Sequence, residues 1–454
     1  MRCLSGRADR GPALCKLFLL ALAAIIWPVG RLSAQGLDYV KAHYAKFEHQ
    51  IPMRDGAKLF TAVYVPRDVS QKYPILLWRT QSGLRPYGAD QFPNDLGPSP
   101  LFAKEGYIFV NQDVRGRWSS EGEFVNVRPH NPAKKGPQDI DESTDTHDTI
   151  DWLLKNVANH NGKVGLYGTS YRGFYVAAGM IDAHPAILAA SPQAPIVDWF
   201  MGDDWRRNGA LFLSHAFFYM PTIGRPRPEP FKKLPIPLPD YGTPDAYDFF
   251  LRLGPLANAD ARHFKGEVPY WNEVLKRGTY DEFWQARNLR PHLRNIKPAV
   301  LTVGGWFDAE NLFGALETYQ RIEATSPKTT NVLVMGPWIH GGWNRGDGSA
   351  LGPVAFGAKT ADFYREKIEL PFFEFHLKGK GTFRQPEAMV FETGTNRWRE
   401  YAAWPPPNAK RKRCTSMPAA GSPGKRPPGR ATSSTSTSAT RPGRCPTPTR
   451  SASA

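Results

Sequence analysis

Lys163-Val164-Gly165-Leu166-Tyr167-Gly168-Thr169-Ser170-Tyr171-Arg172-Gly173, followed by Ala177-Ala178-Gly179, decides how this chain is read. After Lys163 the next four residues, Val164 to Tyr167, are apolar or small and fit a buried strand. The alanines and glycine that follow fit a closely packed helix. Between them lies a tight turn with Ser170 at its tip. Strand, sharp turn and helix are the setting of a nucleophile elbow, which needs small neighbours so that the serine hydroxyl can project above a sheet. The peptide N–H of Tyr171 would point at the same spot and stabilise an oxyanion, with the helix N-terminus behind it. Glycine usually stands two residues after such a serine; here Arg172 holds that place and Gly173 follows. Taken alone, G-x-S also fits an ordinary tight turn between a strand and a helix.

Two later stretches favour the first reading. Val300–Gly304 reads as a strand and runs into Gly305-Trp306-Phe307-Asp308. Asn331–Met335 reads as another and runs into Gly336-Pro337-Trp338-Ile339-His340-Gly341-Gly342. A serine, an acid and a histidine, each just beyond a strand and in that chain order, match the pattern of a Ser-Asp-His triad. Serine is a poor nucleophile until a base takes its proton. His340 would be that base, and Asp308 would fix its tautomer and stabilise the imidazolium.

Further strands are expected at Leu59–Val65, Pro74–Trp78, Tyr107–Gln112 and Ile187–Ser191. Helical spacing appears in Thr146–Val157, with Asp145 as its expected N-cap, and in Phe174–Ala183, Leu312–Ala324 and Ala361–Leu377. Strands alternating with helices imply a mostly parallel sheet covered on both faces. Residues 197–296 break the alternation. They hold helical patterns and no convincing strand, and read as a cap over the ligand-binding edge of the sheet.

Composition sets the outer limits. A chain of 454 residues has room for two to four domains of roughly 100–200 residues, or one with large insertions. The net charge of +16 would suggest an anionic partner. Its placement argues otherwise. Residues 410–454 carry ten Lys/Arg and no Asp/Glu, and residues 1–35 carry five Lys/Arg against one Asp, so residues 36–409 keep only +2. Nucleic-acid binding is not expected. Cys3, Cys15, Cys414 and Cys445 all lie near the ends, so the body has no disulfide framework and no cysteine metal site. No metal or organic cofactor is implied.

Residues 1–35 read as a signal peptide. Arg2, Arg7, Arg10 and Lys16 precede an uncharged run from Leu17 to Trp27, with a small-residue exit at Ser33-Ala34. An uncleaved anchor is the alternative. Cleavage would make the product periplasmic or secreted, free of the membrane. Near the other end, Ala388–Thr393 and Trp398–Tyr401 read as strands opening a β domain within 381–409. Residues 410–454 then turn to Ser, Thr, Pro, Arg, Ala and Gly, a composition that cannot bury enough surface to order itself. A frameshift near residue 410 would produce it; a genuine basic tail is the alternative.

Six ordered stretches carry a family resemblance. They are Gln112–Arg117, Asp148–Leu153, Gly168–Gly173, Gly202–Trp205, Gly304–Asp308 and Gly336–His340. Over residues ~40–405 the chain resembles the peptidase S15 and cocaine-esterase-like hydrolases, and among them the α-amino-acid ester hydrolases. The resemblance implies an α/β-hydrolase fold over 36–196 and 297–380, a helical cap over 197–296, and a C-terminal jelly-roll β-sandwich of which 381–409 is a truncated start. It implies a tyrosine hydroxyl as second oxyanion donor, carried here to Tyr87 although extra residues separate it from Arg79-Thr80. It further implies carboxylates that bind a substrate α-ammonium, carried to Asp203 or Asp204 and to Glu310. Helix capping or solvation are alternative roles for the two aspartates. Asn311 stands where the family often has a third acid, and Arg172 where an acid often follows the Ser-Tyr pair. The expected partner is a small ester or amide of an α-amino acid, β-lactams with such side chains included. An X-prolyl dipeptidyl-peptidase or carboxylesterase of the same family is the alternative. Loss of the β-sandwich would instead leave an inactive product with bare apolar surface. Homo-oligomers are left open.

Overall fold

A computed structural model of the chain describes residues 36–227, 229–231, 242–384 and 386–410. The signal-peptide expectation at 1–35 and the frameshifted tail beyond 410 lie outside the described residues.

Ten strands form one sheet. In chain order they are β1 Tyr44–Pro52, β2 Lys58–Pro66, β3 Tyr73–Thr80, β4 Ile108–Asp113 and β5 His160–Thr169. Then come β6 Ile187–Gln193, β7 Ala299–Gly305, β8 Asn331–Gly336, β9 Ala388–Glu392 and β10 Arg397–Tyr401. The spatial order is β1-β2-β4-β3-β5-β6-β7-β8-β9-β10. Every neighbouring pair from β4 to β9 is parallel; β1, β2 and β10 join antiparallel.

The central strands are buried on both faces, which is why their apolar runs are continuous rather than alternating. Ile75 and Leu77 point into one core and Leu76 into the other; Val300 and Leu301 divide in the same way. The first core takes in helices α1 Glu142–Asn156 and α2 Tyr171–Gly179. The second takes in the helical run 360–378, which contains two π-type turns, Arg365–Glu369 and Glu374–Lys378.

Two sequence expectations need correction here. Asp145 is not the N-cap of α1. Asp141 is, accepting the N–H of Thr144 while the Thr144 hydroxyl accepts the N–H of Asp141. That reciprocal pair starts the helix one turn earlier and frees Asp145 to bind the Arg115 guanidinium at 2.7 Å. Strands β9 and β10 also exist where expected, but they do not open a separate β-sandwich sheet. Strand β9 pairs in parallel with β8, and β10 closes against β9, all within one compact unit that reaches residue 407. The free edge of β8 offers unpaired backbone groups to the next extended segment, and residues 388–392 take them.

The cap leaves the sheet after β6 and returns at β7, two strands that neighbour each other. It is mainly helical, with a small hairpin pairing Arg206-Arg207 with Ala210-Leu211. Its own core centres on Phe217, in helix α3 Leu213–Ile223, whose ring lies 4.9 Å from Phe264 and 5.1 Å from Phe249. Trp199 meets Tyr171 edge-on at 5.8 Å, so the cap packs directly on the first residue of α2. Among the described residues no helix is long and apolar enough to cross a membrane.

Candidate active site

Ser170 sits between β5 and α2 with φ 67° and ψ −127°. A serine at positive φ in this region is strained by roughly 1–3 kcal/mol, and surrounding contacts must hold it there. They do. The Ser170 N–H donates to Gln193 O at 2.9 Å, and Ser170 O accepts the N–H of Phe174 at 3.0 Å. Two glycines make the turn possible. A Cβ on Gly168 would fall 2.7 Å from Arg172 O, and one on Gly173 would fall 2.6 Å from Gln193 O. Gly173 thus supplies the close approach for which no glycine was needed at 172. Arg172 is half-buried, its guanidinium 4.8 Å above the ring of Trp78.

This gives an expected outcome for Gly173→Ala. Alanine gains up to about 1 kcal/mol of helix propensity over glycine. Forcing its methyl against two backbone segments costs typically 1–3 kcal/mol. The clash wins because its nearest partner is a main-chain oxygen that also anchors Ser170. Urea unfolding should show a net loss of stability; a more stable variant contradicts the packing described.

The loops after β7 and β8 bring Asp308 and His340 together. His340 Nδ1 lies 2.9 Å from Asp308 Oδ2, and Asp308 Oδ1 accepts the N–H groups of Glu310 and Asn311 at 2.8 and 2.9 Å. Burial alone would raise the Asp308 carboxyl. The hydrogen bond and charge of His340 outweigh it, helped by the two peptide N–H groups, and hold Asp308 below its ordinary value. An ionised carboxylate only accepts, so His340 Nδ1 carries the proton and Nε2 is left with a free lone pair. Burial likewise would lower His340; the bond to Asp308 and the charges of Asp308, Glu310 and Asp204 raise it above 6.5.

The histidine loop is tied to the serine's strand. Asn344 Nδ2 donates to Thr169 Oγ1 at 3.0 Å, and a Cβ on Gly341 would lie 3.8 Å from Thr169 Cγ2. Gln193, at the end of β6, links the two. Its Oε1 accepts from Thr169 Oγ1 at 3.0 Å and Trp343 Nε1 at 2.7 Å, with Asn344 Nδ2 at 3.3 Å. Its Nε2 donates to Glu369 Oε1 at 2.7 Å. Ser170 is half-buried, and its Oγ has no hydrogen-bond partner among the described residues. Serine–histidine bonds commonly tighten only around bound substrate. The N–H of Tyr171 opens α2, where no helical acceptor precedes it. The Tyr171 ring is a packing element, its hydroxyl bonded to Val127 N and Asn126 Oδ1.

The remaining expected residues divide. Tyr87 is not presented to an oxyanion: its hydroxyl donates to Asp113 Oδ2 at 2.9 Å and accepts from Leu84 N. Burial raises the Asp113 carboxyl to about 7, so this bond belongs to a closed internal pair. Asp203 is not free for an ammonium group either. Fully buried, it accepts the N–H groups of Val197, Asp198 and Gly314 and the amide of Asn311. It fastens the cap to the helix after β7.

Asp204 and Glu310 do lie near His340. Asp204, at φ 43°, accepts Trp199 Nε1 on Oδ2 at 2.8 Å, and its Oδ1 faces His215. Glu310 Oε2 lies 3.7 Å from His340 Nε2. Burial raises both acids, Asp204 to about 6. Sequence reasoning missed His215 of α3, whose Nε2 lies 3.8 Å from Asp204 Oδ1 and 3.7 Å from Glu310 Oε2. Its ring belongs to an aromatic wall with Trp205, Phe212 and Tyr219. Phe307 and Ile339, beside Asp308 and His340, are about half exposed.

Comparison with known proteins fits this arrangement. The family model for X-Pro dipeptidyl-peptidase (S15 family) matches residues 55–342. The chain belongs to the S15 family. This S15 chain is 27% identical over 383 residues to the cocaine esterase of Rhodococcus sp. (strain MB1 Bresler), covering 79% of the chain and 60% of that enzyme. Among solved structures it resembles an α-amino acid ester hydrolase (34% identity, TM-score 0.70, 85% of this chain and 62% of that one). It is also similar to an aminopeptidase from a marine sediment archaeon, Thaumarchaeota archaeon (34%, TM-score 0.71, 80% and 59%). These relatives share the α/β-hydrolase fold. The S15 chain spans about 60% of the length of each.

Proposed function

We infer that the chain is a serine hydrolase that cleaves, or transfers the acyl group of, α-amino acid esters and amides, including β-lactams with α-amino acyl side chains. The observation that carries this is the strained Ser170 turn laced to a loop whose histidine is oriented by a buried aspartate at 2.9 Å. Ser170 Oγ attacks the substrate carbonyl as His340 Nε2 takes its proton. The oxyanion faces the N–H of Tyr171. As the tetrahedral adduct collapses, the imidazolium returns the proton to the leaving alcohol or amine. Water or an amine then releases the acyl group from Ser170 by the same steps in reverse.

Asp204 Oδ1 and Glu310 Oε2 face the α-ammonium. Both are buried or half-buried acids beside His340, and a desolvated ammonium needs anionic acceptors. Exposed Phe307 and Ile339 suit an apolar acyl or alcohol group. The charged and apolar leader supports export to the periplasm or beyond.

The selectivity claim is tested with Glu310→Gln. One hydrogen bond to a charged group is worth roughly 1.5–3 kcal/mol. KM for phenylglycine methyl ester should therefore rise roughly 10- to 100-fold. KM for the matching phenylacetate ester, which lacks the amine, should hold. Equal changes on both esters refute the ammonium site, and a wild-type preference for the neutral ester favours a simple carboxylesterase. Assay of Xaa-Pro amides separates the dipeptidyl-peptidase reading.

A further inference from the structure

Asp204, His215 and Glu310 come from three separate segments, and each offers one ligand atom within 4.8 Å of the others. The His215 contacts, 3.8 Å to Asp204 Oδ1 and 3.7 Å to Glu310 Oε2, are too long to be hydrogen bonds. Three polar atoms thus converge without satisfying one another. Zinc bonds to imidazole and carboxylate are about 2.0–2.2 Å. A tetrahedron with such bonds has edges of roughly 3.3–3.6 Å, so the two edges to His215 need shorten by only a few tenths of an ångström, and the Asp204–Glu310 edge, within 4.8 Å, by up to about 1.5 Å. His340 Nε2, 3.7 Å from the same Glu310 oxygen, borders the open fourth position.

The surroundings are organised as metal sites require. Asp308 holds the proton on His340 Nδ1, the carboxylate–histidine arrangement that fixes a metal-binding tautomer. Trp199 Nε1 fixes Asp204 through Oδ2, with Asn311 also beside that carboxylate, while Asp308 accepts the Glu310 N–H. Two acids are held in a poorly solvated place, the Asp204 side chain buried and that of Glu310 half-buried. A bound cation relieves that cost. Mixed imidazole and carboxylate ligands suit zinc over calcium or magnesium.

We propose that Asp204, His215 and Glu310 form a binding site for a zinc-type dication, which takes His340 Nε2 as fourth ligand and silences hydrolysis reversibly. The silencing half rests on the triad reading above; the binding half does not. A second group, His147, Asp151 and His184, is less suited. His184 Nδ1 accepts the Ala186 N–H, so its proton lies on Nε2 and is directed at Asp151 Oδ1, 3.1 Å away. Zinc would have to break both bonds.

The test is calorimetry with zinc chloride on the full-length Ser170→Ala protein, in which binding is read without turnover. The expected isotherm contains one equivalent that weakens by more than about 10- to 100-fold, the loss typical of removing even an outer-shell partner. That loss should follow either His215→Asn or Glu310→Gln on this background, and His184→Ala should spare it. Circular dichroism melting confirms that each variant is folded. In parallel, zinc should inhibit ester hydrolysis by the wild type, EDTA should reverse it, and His215→Asn should need at least about tenfold more zinc. An isotherm unchanged in both cluster variants overturns the site. Equal zinc inhibition of the wild type and His215→Asn overturns the silencing link. Cluster-dependent binding by a wild type with no ester hydrolysis keeps the metal site and removes the enzyme reading instead.

Discussion

Ser170→Ala should lower kcat/KM for an α-amino ester by about a million-fold, the scale seen when a triad serine is removed. The whole loss is chemical. The substitution removes one half-buried oxygen that bonds to nothing among the described residues, so the fold does not depend on it. Alanine meets the same positive φ as serine, and the anchors at Gln193 O and Phe174 N are backbone groups that survive. Melting should stay within about 0.5 kcal/mol of wild type, as for most substitutions that leave packing intact. Amino esters and neutral esters should lose rate alike, because Ser170 acts on the carbonyl and not on the ammonium. A fluorophosphonate probe should label wild type and leave the variant unlabelled. Retained labelling, or more than about 1% of the rate, would place the nucleophile elsewhere.

Asp308→Asn has the next largest expected effect, about 10⁴-fold on kcat, as when a triad aspartate is replaced by its amide. Its pH dependence carries more information than its size. His340 works as a base only when neutral. Its pKa is raised above 6.5 because Asp308, Glu310 and Asp204 together outweigh burial. Wild-type kcat/KM should therefore climb with pH through an inflection above 6.5 and fall away below it. Removing the Asp308 charge leaves burial less opposed. The variant's inflection should move to lower pH even as its ceiling drops. A structural lesion would reduce the rate without moving the inflection, so a pH profile separates the two. An inflection that stays in place would show that Asp308 does not set the histidine's charge.

The serine turn and the Asp308–His340 pair were legible because their geometry constrains the chain locally. A serine at a strained turn needs Gly168 and Gly173 within a few residues. Asp308 and His340 are marked by the strands that end just before them. The carboxylates were harder. Asp203 and Asp204 are adjacent and identical, and only the third dimension shows that one is sealed by four hydrogen bonds while the other turns an oxygen toward His215. Tyr87 was misread for a related reason, since it sits in a loop and its partner Asp113 lies 26 residues on, at the end of β4. His215 left no signal at all: a helical histidine in the cap has no spacing relation to the sheet.

The same limits apply to the fold. Strand β1 escaped notice because Lys46, Glu48, His49 and Gln50 make it look polar, yet Lys46 is buried, donating to three carbonyls of the 86–91 loop. Strands β9 and β10 were found and misplaced. An alternating segment looks the same whether it starts a new sheet or extends an old one.

Gln193 is no member of the proposed triad, yet it sets the register between the serine turn and the histidine loop. One amide oxygen receives a hydroxyl from the serine's strand and an indole from the histidine's loop, so both measure their position from a common datum. A glutamate there would keep the acceptor but lose the amide that faces Glu369, setting two acids against each other in a dry interior. A smaller side chain would cut the two loops adrift from one another. The placement of the Ser170 turn against the His340 loop is therefore stored one strand away, in a residue no reaction scheme would name.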